Sequence, residues 1–195
     1  MMLVQGIFNC ILCDDSIDTV DNTELSNYSY SLMNNKNSRI ISNRGGWQSD
    51  FVDQEPEMQT LVTEVNNKLE SLRSVLNFED DYELKVESMW ININTPHSYN
   101  EMHIHPHSYL SGCYYVKVPE NSGEIFFKHP AYNYMFYPYK KYFKSNDGIS
   151  SNKLNIQPTE NKFLLFSSWV EHGVEQNLSK EDRISVAFNT VFYER

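Results

Sequence analysis

Histidine stands at positions 97, 103, 105, 107, 129 and 172, and five of the six lie between residues 97 and 129. His103 and His105 are two apart. On an extended segment a period of two puts both imidazoles on one face, where they can converge on a single ion. His107 shares that face only if the chain stays extended through Pro106. Neutral imidazole is the commonest ligand for iron, zinc, copper or nickel. The same run also fits a polar, solvated turn, and spacing alone leaves both readings open. A further candidate lies far down the chain. His172 follows the compact apolar run Phe163 to Phe166 and the segment Ser168-Trp169-Val170, and Arg183-Ile184-Ser185 opens another strand pattern eleven residues later.

These residues need strands to hold them. After Asn77 the pattern is β almost to the end: Glu83 to Asn94, Tyr109 to Val118, Glu124 to Lys128, Asn161 to Ser167 and Arg183 to Tyr193 are β-branched, aromatic or alternating. Turn residues separate them at Thr95-Pro96, Pro119 to Gly123, Asn146-Asp147-Gly148 and Gln176-Asn177. Before them, Met58, Leu61, Val62, Val65, Leu69, Leu72, Val75 and Leu76 recur at steps of three and four, which predicts one amphipathic helix over 55–76, entered through Asp53 and Pro56. Residues 1–42 read as short strands and loops without a place, and Gly45-Gly46 marks a turn before Trp47. The expected fold is mainly β, a double-stranded β-helix (jelly roll) with a long helix packed on one sheet. With neither a repeat nor a linker visible, residues 1–195 read as a single domain, with its core strands in 83–193.

Composition bounds the partners. The 195 residues carry 16 Lys and Arg against 26 Asp and Glu, a net charge of -10. That field repels long nucleic acid and anionic membrane surfaces. A chain of this length buries enough surface to fold without a disulfide or a metal, so stability does not call for the histidines. No apolar run approaches the roughly 20 residues of a membrane-spanning helix. Met1 to Cys13 lacks a basic start and runs into Asp14 and Asp15, a poor signal peptide. Cys10 and Cys13 have no partner pair for a zinc site and read as ordinary buried thiols; Cys113 reads as core. Three cysteines suit a reducing cytoplasm.

The order His103-x-His105, His172, Arg183-x-Ser185 resembles the site of the iron(II) and 2-oxoglutarate dependent dioxygenases. The likeness narrows in Gly45-Gly46-Trp47-Gln48-Ser49, Trp90 to Asn94, His103 to Pro106, Leu110 to Val116, Pro119 to Gly123, Ser168-Trp169 with His172, Val174 and Asn177, and Arg183 to Ser185 with Phe188-Asn189. These look like a small family of 2-oxoglutarate/iron(II) oxygenases known from bacteria and marine phages. The likeness covers roughly residues 43–190. It implies a jelly roll that holds iron(II) with a His-x-Asp/Glu pair and a distal His, and an Arg-x-Ser element that takes the far carboxylate of 2-oxoglutarate. Arg183 and Ser185 inherit that role; the guanidinium fork matches a carboxylate as Lys does not. It also implies dioxygen as co-reactant, release of succinate and CO2, hydroxylation of an unidentified small or peptidyl substrate, and a host cytoplasm if the gene is a phage's.

One position departs from the superfamily: His105 stands where Asp or Glu is usual. Either His103, His105 and His172 form a three-histidine site, which the i, i+2 geometry favours, or a carboxylate completes it, with Glu101 the nearest; failing both, His105 supports a two-ligand site from behind. Of Tyr114 and Tyr115, one must face the interior, with Tyr115 expected at the cosubstrate; Asn92 and Asn94 share a strand face, and Asn94 is expected there as well. His129 reads as a turn or substrate residue. The stretch Tyr132 to Phe143 interleaves aromatics with lysines and suits a lid or a homodimer surface. Three other classes fit parts of the pattern: a three-histidine cupin-type dioxygenase without 2-oxoglutarate, a non-catalytic jelly-roll module, and a zinc enzyme or isomerase.

Overall fold

A computed structural model of the chain describes residues 10–131 and 152–195. The aromatic stretch 132–143 lies outside them. The described elements are β1 (Leu12–Ser16), α1 (Asn22–Asn35), β2 (Asn43–Arg44), β3 (Trp47–Gln48), α2 (Gln59–Ser71), α3 (Arg73–Leu76), β4 (Tyr82–Asn94), β5 (Tyr99–His103), β6 (Leu110–Lys117), β7 (Ile125–Lys128), β8 (Lys153–Ile156), β9 (Lys162–Ser167), β10 (His172–Val174) and β11 (Arg183–Glu194). They build two antiparallel sheets, one ordered β1-β9-β6-β11-β4-β3 and the other β2-β5-β10-β7-β8. This is the jelly roll that the strand pattern predicts. No helix among the described residues is long and apolar enough to cross a membrane.

Strand alternation divides the larger sheet into two faces. Ile184, Val186 and Phe188 on β11, Met89, Ile91 and Ile93 on β4, Tyr114 and Val116 on β6, and Phe163 and Leu165 on β9 join the core beneath the helices. Their neighbours in sequence, Arg183, Ser185, Trp90, Asn92, Cys113, Tyr115 and Phe166, turn the other way and line a cavity between the sheets. A slip of one residue would exchange the two sets, so the apolar half of the pattern fixes where the polar half points. Gly112 is where the strands close most tightly. It pairs with Phe188, and a Cβ there would lie 2.3 Å from the Phe188 ring and 2.4 Å from the Leu164 carbonyl oxygen. Gly112→Ala is therefore expected to cost about 2–3 kcal/mol, a fall in Tm of roughly 5–10 °C on thermal denaturation.

The helical layer differs from expectation in two ways. The predicted single helix over 55–76 is divided: a 3-10 turn at Pro56–Met58, then α2, then the short α3 after a tightened turn at Leu72, with Asn77 in the left-handed conformation as its stop. Tightening of terminal turns satisfies amides and carbonyls that a regular ladder leaves open. The apolar stripe is as read, with Met58, Leu61, Val65 and Leu69 buried and α2 against β4. The second difference is α1, in a stretch expected to be strands and loops. Asp21 caps it, its Oδ1 accepting from the Thr23 and Glu24 amides, and Leu25 anchors it in the core. Cys10 and Cys13 also depart from the reading as buried thiols. Cys10 is exposed just before β1, and Cys13 is half-buried on β1, an edge strand of its sheet.

Candidate functional site

The two sheets bring the distant histidines together. β10 pairs with β5 so that His172 lies opposite His103, and the His105 amide donates to the Ser168 carbonyl just before β10. His105 Nε2 is 3.2 Å from His103 Nε2 and 3.2 Å from His172 Nε2. Behind each ring an oxygen fixes the tautomer. His103 Nδ1 donates to the Glu101 carbonyl at 2.7 Å, His172 Nδ1 to the Val170 carbonyl at 2.9 Å and His105 Nδ1 to Asn189 Oδ1 at 2.7 Å. Asn189 Oδ1 also accepts from Ser111 Oγ at 2.8 Å. With every Nδ1 donating, the three Nε2 atoms present bare lone pairs to one another. Burial holds the rings neutral: it lowers the pKa of His103, pushes His105 down to about 4 and His172 down to about 3. Lone pairs at such separations repel unless a cation sits among them. Two ligands at right angles, each about 2.1 Å from a metal, are roughly 3 Å apart, close to what is found.

The second feature is Arg183, 1% exposed at the start of β11. Its Nη1 donates to the Ser122 and Gly123 carbonyls at 3.1 and 2.9 Å and its Nη2 to Asn94 Oδ1 at 2.6 Å. Its buried Nε has no hydrogen-bond partner among the described residues. Gly123 has φ +88, and a Cβ there would lie 2.3 Å from the Glu175 carbonyl oxygen, so only glycine makes the turn that faces the guanidinium. No carboxylate among the described residues pairs with Arg183. An uncompensated buried charge costs several kcal/mol, and this one stands on the wall of a cavity of about 250 Å³ shared with the three histidines. An anion with a carboxylate end fits.

Residues 88–189 match the family described as "Putative 2OG-Fe(II) oxygenase". The chain belongs to this oxygenase family. Its cofactors are accordingly iron(II) and 2-oxoglutarate, with dioxygen and an organic substrate as co-reactants. No curated protein matches the sequence. Solved structures share the fold at low identity. The non-haem α-ketoglutarate dependent epimerase SnoN from nogalamycin biosynthesis is 12% identical, with 94% of this chain and 78% of that one covered and a TM-score of 0.68. HygX from Streptomyces hygroscopicus, crystallised with nickel and 2-oxoglutarate bound, is 12% identical over 92% of this chain and 82% of that one, TM-score 0.60. A prolyl-4-hydroxylase from Pseudomonas putida is 13% identical over 94% and 92%, TM-score 0.59.

The donor set of the oxygenase fits its cofactors: three neutral nitrogens with converging lone pairs suit a divalent iron, and the unpaired guanidinium suits a carboxylate. The alternative carboxylate ligand is turned elsewhere, since Glu101 pairs with Arg44 on the exposed side of β5 at 2.5 Å. Ser185 and Tyr115 line the cavity. Burial lifts the Tyr115 hydroxyl well above its usual pKa, so it keeps its proton and remains a donor. Cys113 is likewise pushed up to about 11 and stays a thiol. Asn94 differs from the expected cosubstrate contact. It is off the cavity wall, its Oδ1 taken by Arg183 and its Nδ2 donated to Asn100 Oδ1 at 3.0 Å, so it aims the guanidinium. Asn92 does face the cavity, with a buried Oδ1 that has no hydrogen-bond partner among the described residues. His97 and His107 are exposed turn residues with positive φ, and His129 accepts the Ala131 amide in a turn. Two residues quoted only within the family motifs have no role in the sequence reading. Asn189 continues the period of two from Arg183 and Ser185 along β11, a signal that could have found it. Trp90, stacked on His105 at 5.7 Å and 22°, shares the period of two with Asn92 on β4.

Proposed function

We propose that the chain acts as a single jelly-roll oxygenase domain that hydroxylates a C–H bond of its substrate with conversion of 2-oxoglutarate to succinate and CO2. His103, His105 and His172 hold iron(II) as a neutral three-histidine set. Arg183 takes the far carboxylate of 2-oxoglutarate through its unpaired Nε edge, aided by Ser185 and the protonated Tyr115. The observation that carries this reading is the conjunction of three facing lone pairs and one buried, unpaired guanidinium in a single cavity. When bound, iron(II) and 2-oxoglutarate reduce dioxygen so that one oxygen atom ends in succinate and the other in the hydroxylated product.

The protein's part is placement. The Glu101 and Val170 carbonyls and Asn189 keep each imidazole turned so that Nε2 faces inward, as outer partners of metal ligands generally do. Asn94 and the Ser122 and Gly123 carbonyls hold the guanidinium plane. Phe166 and Phe127, with ring centroids 4.6 and 5.9 Å from that of His172, keep water from that side. A cupin-type dioxygenase without 2-oxoglutarate would leave Arg183 with no anion, and a binding module would leave three lone pairs with no cation.

The test is anaerobic titration of the apo-protein with iron(II) and then 2-oxoglutarate, read by the visible charge-transfer band of a chelated keto acid. The band is expected in the wild type; its absence overturns the reading. In His105→Asp, which restores the carboxylate usual in the superfamily, iron binding is retained but the band position shifts. Unchanged iron affinity and an unchanged band in that variant would remove His105 from the ligand set.

A further inference from the structure

The cavity contradicts the charge of the protein around it. The chain carries 26 acidic residues against 16 Lys and Arg, yet among the described residues no Asp or Glu lines the cavity, and two arginines do. Arg183 is assigned to the cosubstrate. Arg39, at the mouth, is not.

Arg39 is held in place without being used up. Its amide donates to the Gln48 carbonyl, and its guanidinium carbon lies 4.9 Å from the centre of the Phe51 ring. Among the described residues its one ion pair is with Asp50, at 3.9 Å, whose side chain is 82% exposed. A contact that long and that solvated contributes little, so the guanidinium can accept another anion. From it an aromatic wall runs inward. Phe51, 56% exposed, tilts against Trp90 with centroids 6.3 Å apart, and Trp90 stacks on His105. Exposed Ile41 and Ile104 add apolar surface at the mouth. A cation at the entrance, an apolar wall, and the histidine cluster at its inner end describe the shape of a ligand.

We propose that the substrate is an amphipathic organic anion whose carboxylate pairs with Arg39 and whose aryl or alkyl body lies along Phe51 and Trp90, presenting a C–H bond beside His105. This rests on the oxygenase reading above and adds the substrate class to it. Protonated amines are expected to be disfavoured, because among the described residues no carboxylate lines the cavity and Arg39 at the mouth repels them.

The test uses the full chain under anaerobic conditions with iron(II) and saturating 2-oxoglutarate, which occupies Arg183. The chelate band is read first; calorimetry then gives the affinities of phenylpropanoate, phenylpropanol and phenylpropylamine in the same sample. The acid should bind about tenfold more tightly than the alcohol, and the amine should not bind. Arg39→Gln should abolish the preference for the acid, with the alcohol's affinity and the band unchanged. Arg39→Lys should retain part of the preference, whereas Phe51→Ala should weaken acid and alcohol alike. The inference is overturned if the acid does not bind at millimolar concentration, if the amine binds as well as the acid, or if the preference survives Arg39→Gln. A missing band would instead overturn the oxygenase reading, whatever the three probes do.

Discussion

Iron(II) affinity is expected to collapse in His172→Ala, by more than the roughly 10–100-fold that loss of an outer hydrogen-bond partner costs a metal site. His172 is buried on β10 and its Nε2 lies 3.2 Å from that of His105. The apo-protein supplies a control that separates ligand loss from misfolding. In the absence of a cation the three Nε2 lone pairs oppose one another, so removing one relieves repulsion that offsets the cost of the cavity left between Phe127 and Phe166. The wild type should gain thermal stability on adding iron(II), since a ligand that binds only the folded state raises Tm by mass action. His172→Ala should show a similar apo Tm and no gain. A preserved metal-induced rise would mean that the cation sits elsewhere.

The second large effect is at Arg183. Arg183→Met should lower the affinity for 2-oxoglutarate by about 100-fold or more, since charge-assisted hydrogen bonds to a buried carboxylate contribute roughly 1.5–3 kcal/mol each. Arg183→Lys should retain charge without the fork and lose about tenfold. Both are measured by titrating the chelate band in the iron(II)-loaded protein, with iron affinity itself unchanged. Stability should respond less than the size of the residue suggests. The substitution to Met strands the Ser122 and Gly123 carbonyls but also removes a buried charge that has no counter-ion in the apo-protein. Unaltered 2-oxoglutarate affinity in Arg183→Met would make the guanidinium a purely structural group.

What could be read from the sequence follows the strength of periodic signals. β4 and β11 alternate over long stretches while β6 and β9 are aromatic or compact apolar runs, and the period of two points Arg183, Ser185 and Tyr115 into the cavity. His103 and His105 carry the period of two, and the family resemblance supplies His172. α1 stayed hidden because its sequence, NTELSNYSYSLMNN, is mostly polar and buries only Leu25 and Ser29. β5, β8 and β10 are three to five residues long, too short for a pattern to outweigh its neighbours. Arg39 lies in a coil and reaches the cavity through the fold of the β3 segment, a contact made in space that leaves no trace in spacing.

One strand has a consequence of its own. β11 carries Arg183 at one end of the site and Asn189, which braces His105, at the other; it is paired with β4 across that whole span and with β6 from Ile184 onward, with a register shift after Ile184. On the proposed assignment, the separation between the guanidinium and the brace behind His105 is set by this stretch of paired strand. β11 is in effect a gauge. On that assignment, a keto diacid one carbon shorter or longer than 2-oxoglutarate is expected to bind more weakly, as titration of the chelate band would show.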